Sequence, residues 1–97
     1  MPTRDQLLRE AGEKESLAAT FTRYARSLPE AFEGIPAAQG DHAAFWTGPA
    51  AERYLTQALR LRRELAELAD SCLATAENLR RRARRLRQDA AEVPELA

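Results

Sequence analysis

Cysteine and histidine are almost absent from this chain, and their scarcity limits the chemistry it can perform. Cys72 is the only cysteine, so an internal disulfide is impossible, and we assign this side chain to packing. His42 is the only histidine, and one His with one distant Cys lacks the ligand spacing of a zinc site. No nucleophile–base pair or glycine-rich phosphate loop is recognisable either. We therefore predict a protein that is not an enzyme and needs no metal or other cofactor.

Long hydrophobic runs and an excess of one charge are lacking as well. No segment approaches the ~20 consecutive apolar residues that cross a bilayer, and residues 1–15 mix charges where a secretory signal would have an apolar core. The formal net charge is zero, which gives no overall attraction to nucleic acid or anionic lipid. We predict a protein made in the cytoplasm without a membrane span, and secreted, if it is secreted, by a leaderless route.

The chain is instead rich in helix-forming sequence. Thr3 and Gln6 form a capping box that opens the first helix. Apolar residues then recur at alternating spacings of three and four, with Lys14 at one position of the series. Pro29 lacks a backbone donor, so we expect the regular helix to end or kink there and predict the first helix over about residues 3–28. The apolar series comprises Leu7, Ala11, Ala18, Phe21, Ala25, Leu28 and Phe32, with Leu17 and Tyr24 widening it to one side.

A second, longer helix is predicted over about residues 49–92, after a connector at 29–48 that contains several helix breakers. Pro49 suits the first turn of this helix, where its missing N–H leaves no hydrogen bond unmade. The apolar residues of the helix form two adjacent rows. The first row comprises Tyr54, Ala58, Leu61, Leu65, Leu68, Cys72, Thr75, Leu79 and Leu86, and the second comprises Leu55, Leu59, Ala66, Ala69, Leu73 and Ala76.

The two rows together are too wide for a single neighbouring helix. They cover about half of the helix circumference, whereas one neighbour needs a stripe of ~100°. A single small core also rarely supplies more than ~3–5 kcal/mol. We therefore predict an all-α fold, in which residues 1–97 form one antiparallel hairpin that pairs with a second hairpin into a four-helix bundle. The residues predicted to fill the shared core are Phe21, Leu28, Tyr54, Leu61, Leu65, Leu68, Cys72 and Leu79.

The most specific stretch of the chain lies where the connector meets the second helix. Trp46-Thr47-Gly48 is followed by the small residues Ala50 and Ala51 and then by an aromatic, Tyr54. A Trp-x-Gly turn between two helices, in a leaderless chain of 97 residues, resembles the WXG family of bacterial type VII (ESX) secretion. The motif has a physical rationale. Glycine without a Cβ permits a tight turn, and the indole can cover the open end of a helix pair.

The resemblance implies a non-enzymatic export substrate or adaptor that pairs with a second WXG-like hairpin and is recognised by the secretion ATPase. Many such pairs carry a Tyr-x-x-x-Asp/Glu signal after the second helix. Here no tyrosine precedes Asp89, Glu92 or Glu95 at that spacing, so the partner is expected to supply the signal. A different partner hairpin is the first expectation, and a second copy of this chain is the alternative.

Six arginines within residues 80–87 offer an alternative function. They are Arg80, Arg81, Arg82, Arg84, Arg85 and Arg87. Such a cluster can bind nucleic acid, anionic lipid or an acidic protein, as in a cytosolic adaptor or a nucleoid-associated protein. However, no aromatic residue is interleaved to stack on bases, and the acidic start of the first helix lies opposite in a hairpin. We therefore favour a solvated helix end or a protein partner over nucleic acid.

Overall fold

The fold was analysed in a computed structural model, which describes residues 1–33 and 48–94. These residues form two α-helices and no strand: α1 spans Arg4–Phe32, with 29 residues, and α2 spans Pro49–Glu92, with 44. The predicted all-α helical hairpin is confirmed. The predicted turn residue Trp46 lies outside the described residues.

The start of α1 is fixed by the capping box that the sequence predicts. The Thr3 backbone N–H donates to Gln6 Oε1 at 2.8 Å, and the Gln6 backbone N–H donates to Thr3 Oγ1 at 3.1 Å. Two backbone donors that a helix start leaves unsatisfied are thereby paired. Asp5 adds a carboxylate in the first turn, where the helix dipole favours negative charge.

The end of α1 corrects the sequence prediction, which placed it at Leu28. The helix continues through Pro29 to Phe32. A proline removes only the bond from its own nitrogen to the carbonyl four residues earlier, here that of Ala25. The donors after Pro29 are unaffected, so one more turn can form beyond it.

α2 has the same bounds as the sequence prediction, and its start depends on glycine. Gly48 has a φ of 105° and a ψ of −178°, a backbone conformation that residues with a Cβ rarely adopt. Its carbonyl accepts the first helical bond, from Glu52 N–H at 3.0 Å, and Pro49 occupies the first turn. Gly48 therefore supplies the positive φ immediately before α2, and Pro49 supplies the fixed φ of the first helical residue.

The helices pack antiparallel as a single thin layer. Arg80 contacts Thr22, and Arg87, seven residues further along α2, contacts Glu15, seven residues back along α1. In this register the end of α1 lies opposite about residue 70, so the first half of α2 extends beyond α1. The radius of gyration is 22.1 Å, against about 12–13 Å for a compact chain of this length. Most side chains therefore have no second layer to pack against.

The seam between the helices follows a heptad repeat. On α1 the buried residues are Leu7, Ala11, Ala18, Ala25 and Leu28, all from the predicted apolar series. On α2 beside α1 they are Cys72, Ala76, Ala83 and Ala90, with Ala69, Leu79 and Leu86 half-buried between them. The same repeat continues before residue 69, beyond the end of α1, in the buried residues Ala51 and Ala58 and the half-buried residues Leu55 and Leu65. In heptad notation these residues occupy positions a and d, and alanine fills position a on both helices over most of their contact. Alanines at this spacing allow the two backbones to approach closely.

The seam on α2 runs between the two predicted rows and takes residues from both. The first row consists of positions d and g, and the second of positions a and e. Only the a and d members face α1, and only from about residue 69 onward, where α1 lies alongside α2. The g and e members, including Leu61, Leu68, Leu59 and Leu73, remain exposed on either side of the seam. α1 therefore leaves members of both rows exposed, as the sequence prediction of an apolar face too wide for one neighbouring helix requires.

Candidate partner-binding face

Exposed large apolar side chains are concentrated on one side of the hairpin. In an antiparallel pair, the g rows of both helices lie on one side of the seam and the e rows lie on the other. The g rows contribute Leu17, Tyr24, Tyr54, Leu61 and Leu68, which we call the docking face. These side chains are 41–50% exposed. Single exposed apolar residues are ordinary on a protein surface, but a continuous set marks an interaction site.

The inner edge of the docking face is apolar as well. Phe21, Leu65, Leu79 and Leu86 are half-buried at position d, which lies next to position g on the helix surface. Cys72, also at position d, is buried in the same line. The docking face and the d residues together form one apolar strip that continues along α2 past the end of α1.

All eight residues predicted to contact a partner lie at positions d or g, and so belong to this strip. Tyr54, Leu61 and Leu68 are exposed on the docking face. Phe21, Leu65 and Leu79 are half-buried at its inner edge, and Leu28 and Cys72 are buried in the seam. Leu17 and Tyr24 were absent from that predicted set. Their seven-residue spacing on the widened side of the α1 stripe was the signal that could have included them.

On the opposite side of the hairpin, four polar residues at position e connect the two helices: Glu15, Thr22, Arg80 and Arg87. We call this side of the hairpin the polar side. Arg80 Nη2 donates to Thr22 Oγ1 at 2.9 Å, and Arg87 Nε donates to Glu15 Oε2 at 3.0 Å. Arg87 also donates through Nη2 to the other Glu15 oxygen, so this pair is bidentate. The hydrogen bonds from Arg87 lower the pKa of Glu15, and the same bonds raise the pKa of Arg87. Two leucines on this side, Leu59 and Leu73, are exposed nearer the turn end.

The arginine cluster does not form one basic surface. Consecutive residues on a helix point in different directions, so the six guanidinium groups are distributed around α2. Arg80 and Arg87 are on the polar side, and Arg82 is in the g row, between Thr75 and Asp89. Arg81 and Arg84 both approach Glu77, at 3.7 and 3.6 Å, and Arg85 lies 3.4 Å from Asp89. Glu15 is the acidic residue of α1 that meets the cluster, while Glu10 pairs with Lys14 on its own helix at 3.4 Å.

A shallow cleft separates the chain ends at the open end of the hairpin. Its volume is about 400 Å³, and Met1, Leu7 and Val93 line it together with the carboxylates of Asp89 and Glu92. Within residues 1–33 and 48–94, no group of three or more His, Cys, Asp or Glu side chains could hold a metal ion. Neither described helix is both long enough and apolar enough to span a bilayer.

Searches of protein-family models, of curated proteins and of solved structures yielded no match to this chain. The chemistry and geometry of its own residues are therefore the basis for assigning a function. Among the described residues, the docking face is the most extensive surface that is suited to binding.

Proposed function

We propose that this chain is a non-enzymatic, WXG-like component of type VII secretion that acts as a bundle-forming export substrate or adaptor. In this proposal the docking face pairs with a second helical hairpin. The paired complex is made in the cytoplasm and exported by a leaderless route, with the secretion ATPase recognising a C-terminal signal on the partner.

The docking face is the observation that carries this proposal. Five large side chains remain about half exposed, two on α1 and three on α2, and on each helix they are spaced seven residues apart. Complete burial of such a side chain contributes ~1.5–3 kcal/mol, so a substantial part of that free energy is still available for association. A second hairpin with a similar strip matches this surface in length and shape, because both partners would present ridges at the same spacing.

The turn supports the secretion part of the proposal. Gly48 of the Trp-Thr-Gly motif has a positive φ immediately before α2, which is the role that a turn motif assigns to its glycine. The Trp-Thr-Gly motif therefore directly precedes the second helix, as it does in WXG proteins. The chain has no Tyr-x-x-x-Asp/Glu sequence near its second helix's end, so in this proposal the partner chain carries the export signal.

An export assay tests the proposal. The chain is expressed alone and with any small helical protein encoded beside its gene, in a host with an active type VII system and in the same host without the secretion ATPase. We expect the chain in the culture filtrate of the first host alone. Export that persists without the ATPase, or no export with the partner present, would contradict the secretion role.

A matched pair of variants connects export to the docking face. Leu61→Glu places a charge on the docking face, and Leu73→Glu places one on the opposite side of the same helix at nearly equal exposure, 46% against 45%. We expect Leu61→Glu to abolish co-purification with the partner and export, and Leu73→Glu to retain both. Equal effects of the two variants would show that the docking face has no special role.

A further inference from the structure

A second exposed apolar patch lies on the polar side of the hairpin, apart from the docking face. Leu59 and Leu73 of α2 are 37% and 45% exposed at heptad position e, and Ala66, midway between them, is exposed as well. We call these three residues the lateral patch. In the register of the hairpin, the exposed Pro29 of α1 lies beside Leu73 and extends the apolar surface. The lateral patch and the docking face are on opposite sides of the seam, so a partner on one leaves the other open.

The row that contains the lateral patch is complementary to its own reverse. From the start of α2 it reads Glu52, Leu59, Ala66, Leu73 and Arg80, at a spacing of seven residues. When two copies are aligned antiparallel about Ala66, Leu59 lies opposite Leu73, and Glu52 lies opposite Arg80. A contact with two-fold symmetry requires this property, because residue i of one copy meets residue j of the other and j meets i.

The neighbouring row, at heptad position b, is complementary in the same alignment. Arg63 lies four residues after Leu59, and Asp70 lies four residues after Ala66, so both charges border the lateral patch. In the antiparallel alignment Arg63 lies opposite Asp70 of the other copy, and Asp70 lies opposite Arg63. No like charges face each other in either row, and like charges in such positions would oppose association.

The charged residues around the lateral patch are largely unused within the hairpin. Within residues 1–33 and 48–94, the side chains of Glu52, Arg63 and Asp70 make no ion pair. Arg80 donates one N–H to Thr22, and a guanidinium group has five. Most arginines farther along α2, by contrast, already pair with acidic residues of their own chain. The charges beside the lateral patch are therefore available to a second molecule.

We propose that the lateral patch binds the lateral patch of a second copy of this chain, with the two α2 helices antiparallel about Ala66. Burial of two leucine side chains from each copy supplies the attraction, and the flanking pairs of opposite charge fix the direction and the register. The contact leaves the docking face open, so it goes beyond the proposed function and does not depend on it. Two hairpin pairs joined in this way would form a complex of four hairpins.

The first measurement is sedimentation of a chain whose docking face is disabled. Leu61→Glu places a charge on the docking face, away from the lateral patch, and this variant should still form a dimer at high micromolar concentration. Adding Leu73→Glu should give a monomer, whereas adding Ala74→Glu, at an exposed position outside both rows, should keep the dimer. All three should retain helical circular dichroism. A helical but monomeric Leu61→Glu chain overturns the inference and leaves the proposed function untouched.

A charge exchange tests the flanking pairs in the same Leu61→Glu background. Arg63→Asp should raise the dissociation constant about tenfold or more, because it places like charges opposite each other. Adding Asp70→Arg should restore association. The two positions are ~10.5 Å apart on one helix, at ~1.5 Å per residue, so recovery cannot come from an ion pair within the chain. Failure of the double exchange to recover overturns the register.

Disulfide formation tests the orientation with the docking face unaltered, in a Cys72→Ala background. Position 66 lies on the two-fold axis, so Ala66→Cys should cross-link with its own copy under mild oxidation. Leu59→Cys and Leu73→Cys should cross-link only when they are mixed. Each of these positions is ~21 Å from its own copy, beyond the ~7 Å between Cα atoms that a disulfide allows. Self-cross-linking of Leu59→Cys would indicate a parallel pair, and no cross-link from Ala66→Cys would exclude the contact; either result overturns the inference.

Discussion

The two long sides of the hairpin are built on the same two helices but differ in how their residues are satisfied. On the polar side, Arg80 and Arg87 reach across the seam to Thr22 and Glu15, so the two helices complete each other. On the docking face the large apolar residues Leu17 and Tyr24 of α1, and Tyr54, Leu61 and Leu68 of α2, remain about half exposed to solvent. The polar side therefore contributes contacts between the two helices, whereas the other side leaves apolar surface exposed, which a partner covers under the proposed function.

The largest effect should come from placing a charge on the docking face. Leu68→Glu would bury an unpaired carboxylate in the predicted interface, which costs ~3–5 kcal/mol. We expect the dissociation constant of the pair to rise at least ~100-fold, as measured by sedimentation or calorimetry. Leu73→Glu on the opposite side should change it little. An equal loss for both variants would abolish the distinction between the two sides.

The next effect should come from the seam that separates the two sides. Ala76 is completely buried, so Ala76→Leu should push the helices apart and lower the free energy of unfolding by ~1–3 kcal/mol. Ala74→Leu, at an exposed position on the same helix, is the control and should leave stability nearly unchanged. Urea unfolding of both variants measures the difference. A neutral Ala76→Leu would mean that the helices are not closely packed at this alanine.

A smaller, pH-dependent effect is expected on the polar side. Arg87 lowers the pKa of Glu15 in the folded chain, so this pair stabilises the hairpin above the ordinary carboxyl pKa. Its contribution should disappear as the pH falls through the lowered pKa. The melting temperature of the wild type should exceed that of Glu15→Gln at neutral pH, and the two should converge in acid. Glu13→Gln controls for the loss of one charge, and a gap that persists in acid would contradict the ion-pair explanation.

The smallest effect is expected from the remaining arginines. Changing Arg81, Arg84 and Arg85 together to Gln should leave pairing nearly intact, because exposed ion pairs contribute only ~0–1 kcal/mol. We also expect no DNA binding that falls steeply with salt, in either the wild type or the variant. Micromolar binding at physiological salt that this triple variant abolishes would favour the nucleoid-associated alternative.

The heptad patterns on both helices made most of the hairpin predictable, but they did not predict which line of α2 residues contacts α1. Leucines and tyrosines dominate a hydrophobic pattern, so they defined the two predicted rows. The actual contact line uses Ala76, Ala83 and Ala90, whose small side chains give a weak hydrophobic signal but permit close packing. The end of α1 was missed because a proline was expected to stop a helix that it only interrupts.

The candidate site was predictable to the extent that it depends on periodicity. The d and g positions of α2 were predicted as a partner surface, and the structure leaves the g leucines of that set exposed. Leu17 and Tyr24 of α1 were left out of the predicted set because they were treated only as a widening of the α1 stripe. The pairing of the arginines with Glu15, Glu77 and Asp89 depends on side-chain positions that a linear sequence does not define. The function of Trp46 stays a prediction, since this residue lies outside the described part of the chain.

The alanine repeat in the seam has a consequence for alignment. If one helix slid along the other by a full heptad, alanines would still face alanines, and the apolar contact would change little. The two polar bonds would not both survive. Sliding one way brings Glu15 to Arg80 but leaves Thr22 beside Leu73, and sliding the other way brings Thr22 to Arg87 but leaves Glu15 beside Pro94. Arg80 and Arg87 together thus favour one alignment of α1 and α2 over the heptad-shifted alignments, which the alanine seam alone would barely distinguish.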